Sequence, residues 1–165
     1  MNGTLIDNLE KNTAIQFVKS DGGRSNYFKG EKAGDCVTRA IVHATGLDYK
    51  KVYEDLFDLA RNWGNKRTQK ALKIRAKASP RNGVNKKVLK HYIENVLGFT
   101  WVSCSGIGKG ISMHVNKDEL PNGTLILSVS KHLTCTIDGV LYDSYDCSRN
   151  GTRAVYGYWV KNEKN

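Results

Sequence analysis

"KHLTCTIDGVLYDSYD", residues 131 to 146, is the stretch whose reading decides how this chain folds. Two alternating runs flank Asp138-Gly139, a dipeptide suited to the positive φ angles of a two-residue hairpin turn. Such a turn sets the register of the strands on either side. Ile137 then faces Val140, Thr136 faces Leu141, Cys135 faces Tyr142, and His132 lies level with Tyr145. Side chains alternate along a strand with period two. His132, Thr134 and Thr136 therefore share a face with Leu141, Asp143 and Tyr145. Asp143 becomes the diagonal neighbour of His132, about 7 Å away between Cβ atoms, where a carboxylate can orient an imidazole. Asp146 has the opposite parity. Cys135 points to the other face, which removes His132 and Cys135 as a metal pair. Cys104, His114 and Cys147 lack zinc-ligand spacing, so no metal or cofactor is expected.

Outward from the hairpin, "GTLILSVS" (123–130) reads as a buried strand, with further strands at "FTWVSC" (99–104), "RAVYGYWV" (153–160) and "AIQFV" (14–18). "SGIGKG" (105–110) lacks the Gly-Lys-Ser/Thr ending of a phosphate-binding loop and reads as a flexible loop. Helical periodicity occupies the middle of the chain. Val37, Ala40, Ile41 and Ala44 form one apolar face over 36–45, with Asp35 as N-cap and Gly46 as stop. Val52, Leu56, Leu59 and Trp63 form another after Asp48. Residues 65–78 are helix-permissive but thinly apolar. "SPRNG" (79–83) is a break, and 85–97 is strongly amphipathic up to Gly98. Helices first and an antiparallel sheet second predict an α+β fold. Its 165 residues suit one domain: an N-terminal segment (1–33), a helical half (34–98) and a sheet half (99–161).

No long apolar run suggests a membrane span. "MNGTLIDNLEKN" lacks the basic and apolar regions of a signal peptide, so a cytoplasmic setting is expected. Four cysteines without a CxxC pair are expected to be free thiols. The formal charge of +10 is uneven, since residues 61–90 carry eleven Lys or Arg and no Asp or Glu. Lys66, Arg67, Lys70, Lys73, Arg75, Lys77, Arg81, Lys86 and Lys87 form a candidate anion-binding patch for an acidic partner or nucleic acid. The plainer reading is a solvated basic face, because Trp63 is the one aromatic there for base stacking.

"AGDCVTRAIVHATG" (33–46) places Cys36 at a helix N-terminus, where the dipole favours a thiolate and free N–H groups suit an oxyanion. A nucleophilic cysteine needs a base, and the base an orienting group. His43 lies about 10 Å along the same helix and is excluded. His91 and His114 have no same-face carboxylate. His132 has Asp143.

Cysteine at a helix start, then histidine and aspartate on a later antiparallel sheet, resembles the papain-like cysteine peptidase superfamily. The nearer resemblance is to small papain-like proteins encoded by phages and bacteria. It is carried by "GDCVTRAIVHATG" with "YKKVYEDL", by "SPRNGVNKKVLKHYIENVLGFTWV" and by "ELPNGTLILSVSKHLTCTIDGVLYDSYD". The resemblance implies helices packed on an antiparallel sheet with the site between them. It implies Cys36 as nucleophile, His132 as general base and acid, and Asp143 as orienter. The family usually carries a Gln shortly before the Cys for the oxyanion hole, and residues 30–35 contain none. Gln16 and Asn26 are the nearest carboxamides, while Asp35 is adjacent and assigned to the helix cap.

Three functions stay open at this level. One is a thiol hydrolase of amide or peptide bonds, in the host cytoplasm if phage-encoded, with a protein or peptide substrate. Another is a non-catalytic papain-like scaffold that binds a host protein or nucleic acid through the basic patch. The third is an acyl or amide transferase, or a deamidase, using the same triad.

Overall fold

The computed structural model of the chain describes residues 14–30, 34–64, 67–106, 108 and 110–162. The hairpin forms in the expected register. Strand β6 (His132–Ile137) pairs antiparallel with β7 (Val140–Asp143), with Ile137 opposite Val140, Thr136 opposite Leu141 and Cys135 opposite Tyr142. Asp138 and Gly139 have φ of 49° and 78°, the left-handed pair that a tight turn between twisted strands requires. Asp138 also ties the turn to the start of the neighbouring strand, its carboxylate accepting from the Gly123 N–H at 2.8 Å.

The remaining strands are β1 (Gln16–Lys19), β2 (Phe99–Ser103), β3 (Ser105–Gly106), β4 (Gly110–Ile111), β5 (Thr124–Val129) and β8 (Gly157–Lys161). Six of them form one sheet in the order β1-β7-β6-β5-β8-β2. All its pairs are antiparallel except β1 with β7. The expected strand at 14–18 therefore joins the sheet as a parallel edge, and the sheet is not confined to the C-terminal half. Residues 105–111, expected to be loop, hold the small β3–β4 pair.

Four helices cover one face. They are α1 (Cys36–Thr45), α2 (Tyr49–Arg61), α3 (Gln69–Ala76) and α4 (Lys86–His91), the last continuing as a π-helical turn over Tyr92–Val96. Asp48, Thr68 and Asn85 cap the starts of α2, α3 and α4 through side-chain oxygens. Asp35 does not do the same for α1. It occupies the N-cap position, but its side chain makes no capping bond, which corrects the sequence expectation. Along α2 the buried stripe is Tyr49, Val52, Leu56 and Ala60, one step rotated from the predicted one. The π turn, closed by the Leu97 N–H on the Tyr92 carbonyl, carries Val96 out to solvent.

Val37, Ala40 and Ile41 of α1 pack with Ile126, Cys135 and Trp159 of the sheet. The opposite face buries Leu125, Leu127 and Leu141 under Val115, Leu120 and Val155. Odd and even residues of β5 thus serve different cores, as period two demands. Among the described residues no helix is long and apolar enough to cross a membrane.

One close approach shapes the β8–β2 edge of the sheet. A Cβ on Gly157 would lie 2.3 Å from the Trp101 ring and 2.9 Å from the Val102 carbonyl oxygen. Gly157→Ala should therefore displace Trp101 and destabilise the fold by about 1–3 kcal/mol. Urea unfolding followed by tryptophan fluorescence measures both effects.

Candidate active site

His132 is the first residue of β6 and Asp143 the last of β7, so both stand at one end of the sheet. Helix α1 packs across β6 and begins with Cys36 at that same end. The two-residue turn between β6 and β7 brings the histidine and the carboxylate to one end of the sheet, and the packing of α1 on β6 brings the thiol there.

His132 Nε2 lies 2.7 Å from Asp143 Oδ2, and both side chains are buried. That leaves Nδ1 as the ring nitrogen for other partners. Burial alone would lower the imidazole pKa. Hydrogen bonding to Asp143, Cys147 and Cys36 outweighs burial and raises it to about 11. Burial would raise Asp143. The His132 bond and charge, the Thr134 hydroxyl and the Ser144 N–H hold it at about 2. Burial would also raise Cys36. Hydrogen bonding by His132 and the Leu133 backbone, with the charges of His132 and Arg39, keeps that thiol below the ordinary range. The three groups form one line of proton-sharing partners: thiol, imidazole, carboxylate.

Behind this line stands a second set of buried charges. Asp35 is fully buried and paired with Arg39 and, at 3.5 Å, with Arg24 Nε. It also accepts from the Tyr49 hydroxyl at 2.6 Å. Arg39 reaches Asp143 Oδ1 at 3.6 Å with its other terminal nitrogen. This explains why Asp35 does not cap α1: its carboxylate is turned inward to hold Arg39 between two aspartates. The N–H groups of the first helical turn are thus not covered by the Asp35 side chain, and Cys36 sits among them. Of the proposed oxyanion carboxamides, Gln16 is on β1 opposite Val140, at the far end of that pair from Asp143. Asn26 is exposed in the short 3₁₀ turn Arg24–Asn26. Neither lines the cleft that holds Cys36.

That cleft, of about 730 Å³, is walled by Cys36, Val37, His132, Val84, Trp101 and Trp159. The two indoles lie 4.5 Å apart between centroids, and the Trp159 N–H points to Glu94 at 3.3 Å. The other histidines are engaged elsewhere. His43 packs 6.0 Å from Tyr142, with its pKa lowered chiefly by burial. His91 meets Trp63 edge-on and bonds Asn95. His114 bonds Glu119 at 3.0 Å.

No protein-family model, no curated protein and no solved structure matches the chain. The site is therefore read from its own geometry.

The nine residues of the predicted basic patch separate. Lys70, Lys73, Lys77 and Lys87 line one groove, and Lys86 lines the cleft. Arg75 donates to the carbonyls of Trp63 and Gly64, closing the chain after α2. Arg81 lies over the Phe28 ring at 5.3 Å. Arg67 is exposed, and Lys66 lies outside the described residues.

Sequence reading missed Cys147 and Arg39. Cys147 is buried and its thiol lies 3.5 Å from Asp143 Oδ2. Spacing predicts no metal-ligand set, yet the fold gathers ligand atoms of His132, Asp143 and Cys147 within 4.8 Å of one another. Such a nitrogen, oxygen and sulfur set suits zinc. A cation there would draw His132 and Asp143 away from each other. No spacing rule signals Arg39, whose role depends on where Asp143 ends.

The pKa shifts give a pH test. A histidine raised to about 11 stabilises the fold fully below its unfolded value of about 6.5, and that contribution is lost as pH rises toward 11. An aspartate lowered to about 2 contributes fully above about 3.9, and its part is lost as pH falls toward 2. The stability difference between the wild type and Asp143→Asn should be greatest between about pH 4 and 6.5 and shrink on both sides. Urea unfolding of the two proteins from pH 3 to 10 measures it.

Proposed function

We propose that this protein is a thiol hydrolase of amide or peptide bonds on a papain-like scaffold. The observation that carries the reading is the thiol–imidazole–carboxylate line, with a half-buried Cys36 beside buried His132 and Asp143. Cys36 has its pKa lowered by His132, and His132 is held by Asp143 at 2.7 Å. The order of parts supports the scaffold: a cysteine-headed helix lies across an antiparallel sheet that later supplies histidine and aspartate.

In this reading the Cys36 thiolate attacks the carbonyl carbon, a C–S bond forms, and the carbonyl electrons move onto oxygen. N–H groups of the first turn of α1 stabilise that oxyanion. His132, protonated, gives its proton to the leaving nitrogen as the C–N bond breaks. A water then loses a proton to His132 and attacks the thioester. The C–S bond breaks, and acid and thiolate are released. Asp143 keeps the ring oriented and stabilises its positive charge, and Arg39 positions Asp143. An amine in place of water would give transfer by the same steps.

Iodoacetamide alkylation of Cys36 tests the reading. The wild-type rate should already be high at pH 6 to 7, and His132→Ala should slow it at least tenfold there. A wild-type rate that rises only around the free-thiol value of about 8.5 would overturn the ion pair. Cleavage of peptidyl-aminomethylcoumarin pools should be abolished in Cys36→Ala.

A further inference from the structure

Beside the catalytic cleft runs a second depression of about 830 Å³ between α3 and α4. Lys70, Lys73 and Lys77 recur at helical spacing along one wall, and Lys87 stands on the other. All four are exposed, and among the described residues no carboxylate pairs with them. Residues 61–90 contain no acid to neutralise them. Four unpaired ammonium groups around one concavity make a focused positive potential.

The groove borders the cleft. Gly83 and Val84 line both it and the cleft that contains Cys36 and His132. On the cleft side Lys86, Lys90 and Lys131 continue the positive charge, against one carboxylate among the described lining residues, Glu94, to which the Trp159 indole N–H points. A chain lying in the groove is thus led over Gly83 and Val84 to the thiol.

We propose that the groove is a substrate subsite that selects polypeptides with an acidic segment next to the bond presented to Cys36. This rests on the thiol-hydrolase reading and names its substrate class. Two features favour an acidic polypeptide over nucleic acid. Among the described residues the groove lining holds no aromatic ring on which bases could stack. A nucleic-acid backbone also brings no acyl carbon to the thiol, whereas a peptide brings one at every residue.

The test uses fluorescein-labelled octaglutamate, with octalysine and an eight-nucleotide oligothymidine as comparators. Binding to full-length Cys36→Ala is followed by anisotropy at 20 and 200 mM salt. Octaglutamate should bind, and its affinity should fall at least tenfold over that range as the charges are screened. Lys73→Glu with Lys77→Glu should weaken binding at least tenfold. Lys50→Glu with Lys117→Glu, an equal charge change on other exposed surface, should alter it less than threefold. Octaglutamate should also slow iodoacetamide alkylation of wild-type Cys36, because the groove borders the cleft and a bound chain would extend across it. The proposal is overturned by tighter oligothymidine binding, by equal losses in the two charge-reversal pairs, or by binding that leaves alkylation unchanged. These readouts need no turnover. A failed hydrolase reading would leave groove binding intact, and a failed groove would leave the alkylation pH profile intact. Circular dichroism melting checks that each variant is folded.

Discussion

Everything at this site depends on Asp143 remaining ionised while buried. A carboxylate taken out of water is costly unless other groups replace its hydration. Here the replacements come from four places: the His132 ring, the Ser144 N–H, the Cys147 thiol and the Arg39 guanidinium. Each belongs to a different part of the chain. Satisfying one charge therefore fixes the start of β6, the end of β7, the loop beyond it and the first turn of α1. Arg39 raises the same problem again and is answered by Asp35, which Tyr49 and Arg24 hold in turn. The result is a chain of alternating charges that leaves the Cys36 thiol facing an imidazolium.

Such a network gains its strength from the apolar cores on either side. Ile41, Ile126 and Cys135 exclude water from the helix side, and Leu125, Leu127 and Leu141 from the other. The low dielectric between them strengthens each pair and makes any unpaired member expensive. Cys36, His132 and Asp143 lie where these cores end. There strand and helix termini supply free backbone donors, and the cleft of Cys36 and His132 opens beside them. The two tryptophans form an apolar wall of a cleft that Lys86, Lys90 and Lys131 also line.

Parts of this were legible from local rules. Asp138-Gly139 demanded one hairpin register, and that register alone put Asp143 beside His132 and turned Cys135 away. Gly46, Asp48 and Gly98 marked helix ends through φ preference and capping. Parallel pairing of β1 was not legible, because edge alternation in "AIQFV" is the same for either direction. The π turn was hidden too, since residues 92–97 keep a helical pattern of apolar residues whichever ladder they adopt. The basic run read as one patch, yet Arg75 and Arg81 turn back onto a carbonyl pair and a phenyl ring. Charge counts carry no information about which cations are already engaged.

Asp35 shows where sequence stops and tertiary structure begins. By itself the sequence determined that a helix starts at Cys36, that His132 and Asp143 share a hairpin face, and that the chain is α+β. Those properties follow from backbone preferences and period-two alternation, which act over a few residues. Only the tertiary structure decided that Asp35 buries its carboxylate on Arg39 and does not cap the helix. It also decided that Cys147 joins Asp143, and that a lysine groove borders the cleft across Gly83 and Val84. These depend on which distant groups share a low-dielectric space, and no local pattern encodes that proximity.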